Sequence, residues 1–147
     1  MFQAIIDGAV SESETWAAAV LPSDERQLVV VFSPLAPDGV AVGLETVYEA
    51  YLVHYGRPRL FVAPDEDEAV LLGDYLYAHG LVRIAEAGGV RAVRVMADLI
   101  SRCAALRAEG LGGDGEAWVE AARALGGAPD GDAVTRALAR HSARVAA

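Results

Sequence analysis

Lysine and asparagine are absent from the 147 residues, and all 12 basic side chains are arginine. Against them stand 21 acids, so the formal charge is −9. Such an excess repels the phosphate backbone of nucleic acids and the headgroups of anionic lipids, and neither is expected as a partner. Cysteine occurs once, at Cys103. That excludes an internal disulfide and a cysteine-based metal cluster, and it points to a reducing compartment. No apolar run approaches the ~18 residues that a membrane helix needs. The opening MFQAIIDGAVSESE lacks the basic start of a secretory signal. A cytoplasmic protein without a membrane span is therefore expected.

What is present is alanine-rich apolar sequence. Hydrophobic residues make up 54% of the chain, above the roughly 45–50% of ordinary soluble domains. Alanine in that quantity signals helix packing. The length fits one domain, residues 1–147, large enough for a sizeable core. Breakers fall at LPSD, SPLAPDG, YGRPRLFVAPDED, EAGG, EGLGGDGE and LGGAPDGD, and segments of helical length lie between them.

The first helix is expected over Ser13–Leu21. The run Leu28–Phe32 has three consecutive valines with strand propensity, but no partner strand is visible, so a helix is favoured there. Asp38–Tyr55 repeats apolar residues at helical spacing and stops at Gly56 and Pro58. Asp65 with Glu68 three residues on has capping-box spacing, and the four acids of 65–68 suit the positive end of a helix dipole. The helix that follows is apolar over most of its surface and is expected to be central. Gly73 and Gly80 within it each cost about 1 kcal/mol against alanine, which implies close backbone approach. Val90–Glu109 is amphipathic, with Cys103 on the apolar stripe and Arg94, Asp98 and Arg102 on the other face. Glu116–Leu125 and Asp132–Val145 complete an all-α, antiparallel bundle of six or seven helices.

Residues able to carry chemistry are few. Glu45 and Glu49 share a helix face at i, i+4 and could hold a hard cation, although an ion-paired or solvated face is the plainer reading. Arg57 and Arg59 flank Pro58 and could clamp a phosphate. Pairing with the acids of 65–68 is the favoured alternative. His54 and His79 have no second histidine at i+3 or i+4. His141 lies in the last helix with no chemistry assigned. Asp74, inside an apolar helix, needs a structural partner. Cys103 reads as core. No nucleophile elbow or phosphate loop is present.

The order of the stretch ETVYEAYLVHYGRPRLFVAPDEDEAVLLGDYLYAHGLVRIA resembles the polyprenyl diphosphate synthase family, over roughly residues 44 to 109. Glu45-Thr46-Val47-Tyr48-Glu49 falls where that family has DDxxD. His54 to Arg59 falls where it has RRGxPT, with Gly56 and Pro58 kept, and GDYLYA matches its GDYLxA helix. The chain departs from the family at Thr46, His54 and Tyr55, and no second aspartate-rich motif follows. The resemblance thus implies an isoprenoid-synthase-like half, a small or regulatory subunit without catalytic residues or a cofactor of its own. It would pair with a catalytic prenyl synthase subunit. Tyr48, Tyr51, Leu72, Leu76 and Tyr77 would line packing or tunnel surfaces. Two other readings stay open. One is a stand-alone helical binding or scaffold protein. The other is a degenerate homodimeric enzyme that uses magnesium and contacts diphosphate through Glu45, Glu49, Arg57 and Arg59.

Overall fold

The computed structural model describes residues 1–145, and within them lie six α-helices. They are α1 (Phe2–Glu12), α2 (Glu14–Ala19), α3 (Ala41–Tyr55), α4 (Glu66–Ala108), α5 (Asp114–Ala124) and α6 (Gly131–Val145). Two single 3-10 turns, Ser33–Leu35 and Asp38–Val40, precede α3. The only β pairing among the described residues is one antiparallel bridge between Val20 and Phe61. The all-α expectation holds. Among the described residues no helix is long and apolar enough to cross a membrane.

Local chemistry accounts for several helix starts. The Ser13 hydroxyl accepts from the Thr15 N–H at 3.1 Å and opens α2. Asp65 accepts from the Glu68 N–H at 2.9 Å, and Glu66, Asp67 and Glu68 occupy the first turn of α4, against the dipole's positive end.

Four expectations need correction, and one helix is additional. Residues 2–12 form that helix, α1, which buries Ile5, Ile6 and Ala9. The helix expected over Ser13–Leu21 is shorter, because Val20 leaves it in extended conformation to meet Phe61. Leu28–Phe32 is not helical: its backbone is held from outside by charged side chains, as described below. Asp38–Val40 is a 3-10 turn rather than the start of α3. Finally, the central helix is α3, not α4. Every residue from Gly43 to Leu52 is buried, whereas α4 exposes Val70, Leu71 and Val82.

α4 is two limbs joined at Gly89, whose φ of 70° and ψ of −167° only glycine adopts readily. The first limb runs antiparallel to α3. Gly73 lies against His54, Gly80 against Val47, and Ile84 against Gly43. A Cβ on Gly80 would stand 2.6 Å from Val47 Cγ2 and 3.0 Å from the Val47 amide nitrogen. The close approach implied by the glycines is thus real. After Gly89 the second limb returns alongside α3, until Arg107 reaches Tyr51.

Two apolar clusters result, both fed by α3. The larger joins Phe32, Tyr48, Tyr51, Met96, Cys103 and Trp118 between α3, the second limb, α5 and α6. The smaller packs Ile5, Ile6, Leu60, Phe61, Leu72 and Leu76 beneath α1 and α2. Each fully buried leucine contributes about 1.5–3 kcal/mol over an exposed one.

Candidate functional site

Glu45 and Glu49 stand one turn apart on α3, as their spacing requires, and both are 0% exposed. Arg59, also 0% exposed, sits between them. Its Nη1 donates to Glu45 Oε2 at 2.6 Å and its Nε to Glu49 Oε1 at 3.0 Å. Backbone amides take up the rest. Val31 and Ser33 N–H donate to Glu45 Oε1 at 3.0 and 3.1 Å. Arg59 and Leu60 N–H donate to Glu49 Oε2 at 2.9 and 2.8 Å. The guanidinium also donates to the carbonyls of Val29 (2.8 Å) and Glu45 (3.2 Å). Its carbon lies 5.1 Å from the ring centres of both Phe2 and Tyr48. Burial alone would lower the arginine's pKa, but the two carboxylates outweigh it and hold the pKa above the ordinary value.

This cluster explains the fate of Leu28–Phe32. A run of valines with no neighbouring strand must still satisfy its backbone. Here Glu45 accepts from the Val31 amide, while Arg59 and Arg140 donate to the carbonyls of Val29 and Val30. Side chains replace the missing strand, and nothing in the local sequence announces them.

The favoured pairing of Arg57 and Arg59 with the acids of 65–68 is not what forms. Arg59 pairs with Glu45 and Glu49. Arg57 lies exposed, its guanidinium on the Ala143 carbonyl and its own carbonyl taking Arg144 at 3.0 Å. The Asp65–Glu68 acids serve as cap and first turn. Asp74 finds its partner in His54, 3.4 Å away. Burial, opposed by Asp74, holds His54 below the ordinary imidazole range; burial and Arg83 do the same for His79.

A divalent ion needs open carboxylate oxygens. All four oxygens of Glu45 and Glu49 face N–H donors, and among the described residues no group of three or more His, Cys, Asp or Glu is placed to hold a metal. The geometry of this cluster is that of a structural core, closed to substrate.

Tyr48 and Tyr51 lead into a second polar cluster. Tyr48 Oη lies 2.8 Å from His141 Nδ1. Tyr51 Oη donates to Asp114 Oδ2, and Arg107 Nη2 donates to Tyr51 Oη (2.7 Å) and Asp114 Oδ2 (2.8 Å). His141 Nε2 is 3.6 Å from Asp114 Oδ1, beyond hydrogen-bond range, and it and Trp118 Nε1 are buried without a hydrogen-bond partner. The His141 ring beside Asp114 holds that carboxyl below the usual range, against burial. Burial pushes Tyr48 well up. The rings of Phe32, Tyr48 and Tyr51 lie with centres 5.4–5.9 Å from that of His141, and Trp118 packs on Phe32 at 5.4 Å and Tyr48 at 5.1 Å.

Leu72 and Leu76 are fully buried under α1. Tyr77 is half-buried, stacks on His54 at 5.1 Å, and has its hydroxyl pKa raised by burial. These residues face the chain's own interior. Cys103 is buried, its thiol pushed up to about 11 by burial, in keeping with core. Arg107, Asp114 and His141, 7 to 93 residues from their partners, carry no sequence signal that would have grouped them. No protein-family profile, curated protein or solved structure matches the chain.

Proposed function

We propose that the chain is a non-catalytic helical subunit that acts in the cytoplasm by pairing with a catalytic polyprenyl diphosphate synthase. The observation that supports this reading is the state of Glu45 and Glu49. They stand at the positions that resemble the family's magnesium-binding acids, yet both are fully buried and neutralised by Arg59. A chain of this ancestry that had lost its metal site would retain the helices for association alone. Exposed Val70, Leu71 and Val82 on the first limb of α4 offer apolar surface for that purpose.

Purification from native cells under mild conditions tests the reading. A stoichiometric partner bearing two aspartate-rich motifs is expected, and adding the chain to it should change the rate or chain length of prenyl products. Recovery of the chain alone would overturn the proposal. Calorimetric titration with magnesium and inorganic diphosphate addresses the enzyme alternative; no heat is expected. A second reading, a stand-alone helical scaffold, draws support from the closed aromatic core around His141. A monomer in sedimentation, with no co-purifying synthase, would favour it.

A further inference from the structure

Between α2 and the chain entering α4 runs an open groove of about 500 Å³, lined by Thr15, Ala18, Ala19, Val62, Pro64 and Glu68. Its floor is apolar. The Val62 N–H donates to the Ala19 carbonyl at 2.8 Å, so the two walls are tied together by backbone, and the Val62 side chain is left 57% exposed. An apolar groove alone names no occupant, but the charge around this one does. From Glu14 to Ala19 and from Val62 to Glu68, the two segments that build the walls, the chain has five acids and no base. Asp65, Glu66 and Asp67 are exposed beside the groove, and Glu68 lines it.

We infer that the groove docks a basic segment of a partner protein, one that seats an apolar side chain on Ala18 and Val62 while its flanking lysines or arginines meet the acids of α4's first turn. The inference goes beyond the reading above, because it specifies the docking segment by its chemistry, whichever protein carries it. Opposite charge steers the encounter and sets its salt dependence, while the apolar anchor supplies most of the affinity.

The probe is a fluorescein-labelled peptide of alternating leucine and lysine, with a leucine–glutamate peptide as its counterpart, read by fluorescence anisotropy on the full chain. The lysine peptide should bind saturably and weaken as salt rises, and the glutamate peptide should not bind. Ala18 is exposed, so Ala18→Trp fills the groove without altering charge or core. It should weaken binding roughly ten- to hundred-fold, the loss expected when one buried leucine is displaced. Glu68→Arg should weaken it too and flatten the salt dependence. Circular dichroism of both variants establishes that the helices are intact. Unchanged affinity in Ala18→Trp would mean diffuse charge attraction and overturn the inference, as would equal binding of the two peptides or no binding at all.

Discussion

Two buried polar clusters share α3 but are finished to different degrees. Around Glu45, Glu49 and Arg59 every carboxylate oxygen has a donor, and the partners lie 10 to 14 residues apart in sequence. Around Tyr48, Tyr51, Asp114 and His141 the partners are 63 and 93 residues apart, and two buried ring nitrogens lack hydrogen bonds. The first cluster fixes irregular chain, at residues 29, 31, 33, 59 and 60, to a central helix. The second joins helices from distant parts of the sequence and tolerates imperfect pairing. A buried charge needs a complete set of partners, whereas a tyrosine–histidine contact does not.

The largest effect is expected from Arg59→Met. It leaves two buried carboxylates facing each other without a cation, and the expected loss is about 3–5 kcal/mol in urea denaturation. The wall formed by residues 29–33 should become exchange-competent at the same time, visible as lost amide protection at Val31 and Ser33. A loss under about 1 kcal/mol would mean that the amides alone satisfy both acids.

A step smaller is Gly80→Ala, on the seam between α3 and the first limb of α4. The new methyl meets both the side chain and the amide nitrogen of Val47. Overpacking of this kind costs about 1–3 kcal/mol, and it outweighs the gain in helix propensity. A variant as stable as the parent would show that the seam can open at no cost.

Those two tests divide along the line of what the sequence made legible. Gly73 and Gly80 announced a close helix contact because glycine inside a helix has a local cost that something must repay. The capping acids of 65–68 were equally plain, since a cap is made within four residues. Leu28–Phe32 misled because its backbone partners are Glu45, Arg59 and Arg140, all of them distant side chains. The spacing of Glu45 and Glu49 gave their shared face but not what that face meets. Their burial depends on Arg59 folding back from beyond Pro58, and no periodicity records that. α1 leaves little periodic trace in the sequence, because its buried apolar positions Ile5, Ile6 and Ala9 span little more than one turn.

The second cluster should weaken in acid. Asp114 has its pKa lowered in the folded chain, by His141 first. Its contribution is therefore present above the ordinary aspartate range of about 3.9 and is lost as pH falls through the lower folded value. Asp114→Asn should cost about 1–2 kcal/mol near neutral pH, through the weakened bonds to Tyr51 and Arg107. The difference from the parent should shrink as the solution is acidified past the aspartate range. Thermal melts across that range measure it, and a constant difference would show that charge on Asp114 contributes nothing.

The smallest effect belongs to a contact outside both clusters. Arg102 donates to Glu120 at 2.6 Å across α4 and α5, a shorter contact than most inside the core, but the two side chains are 51% and 62% exposed. Water competes for both groups, salt screens them, and holding two long side chains in one geometry costs entropy. Arg102→Ala should therefore shift stability by only about 0–1 kcal/mol, and less at high salt. Arg59 and Arg102 make ion pairs of the same length, 2.6 Å, to a glutamate. If removing each cost the same, burial would not be what sets the strength of these pairs, and the contrast between the saturated cluster and the rest of the molecule would fail with it.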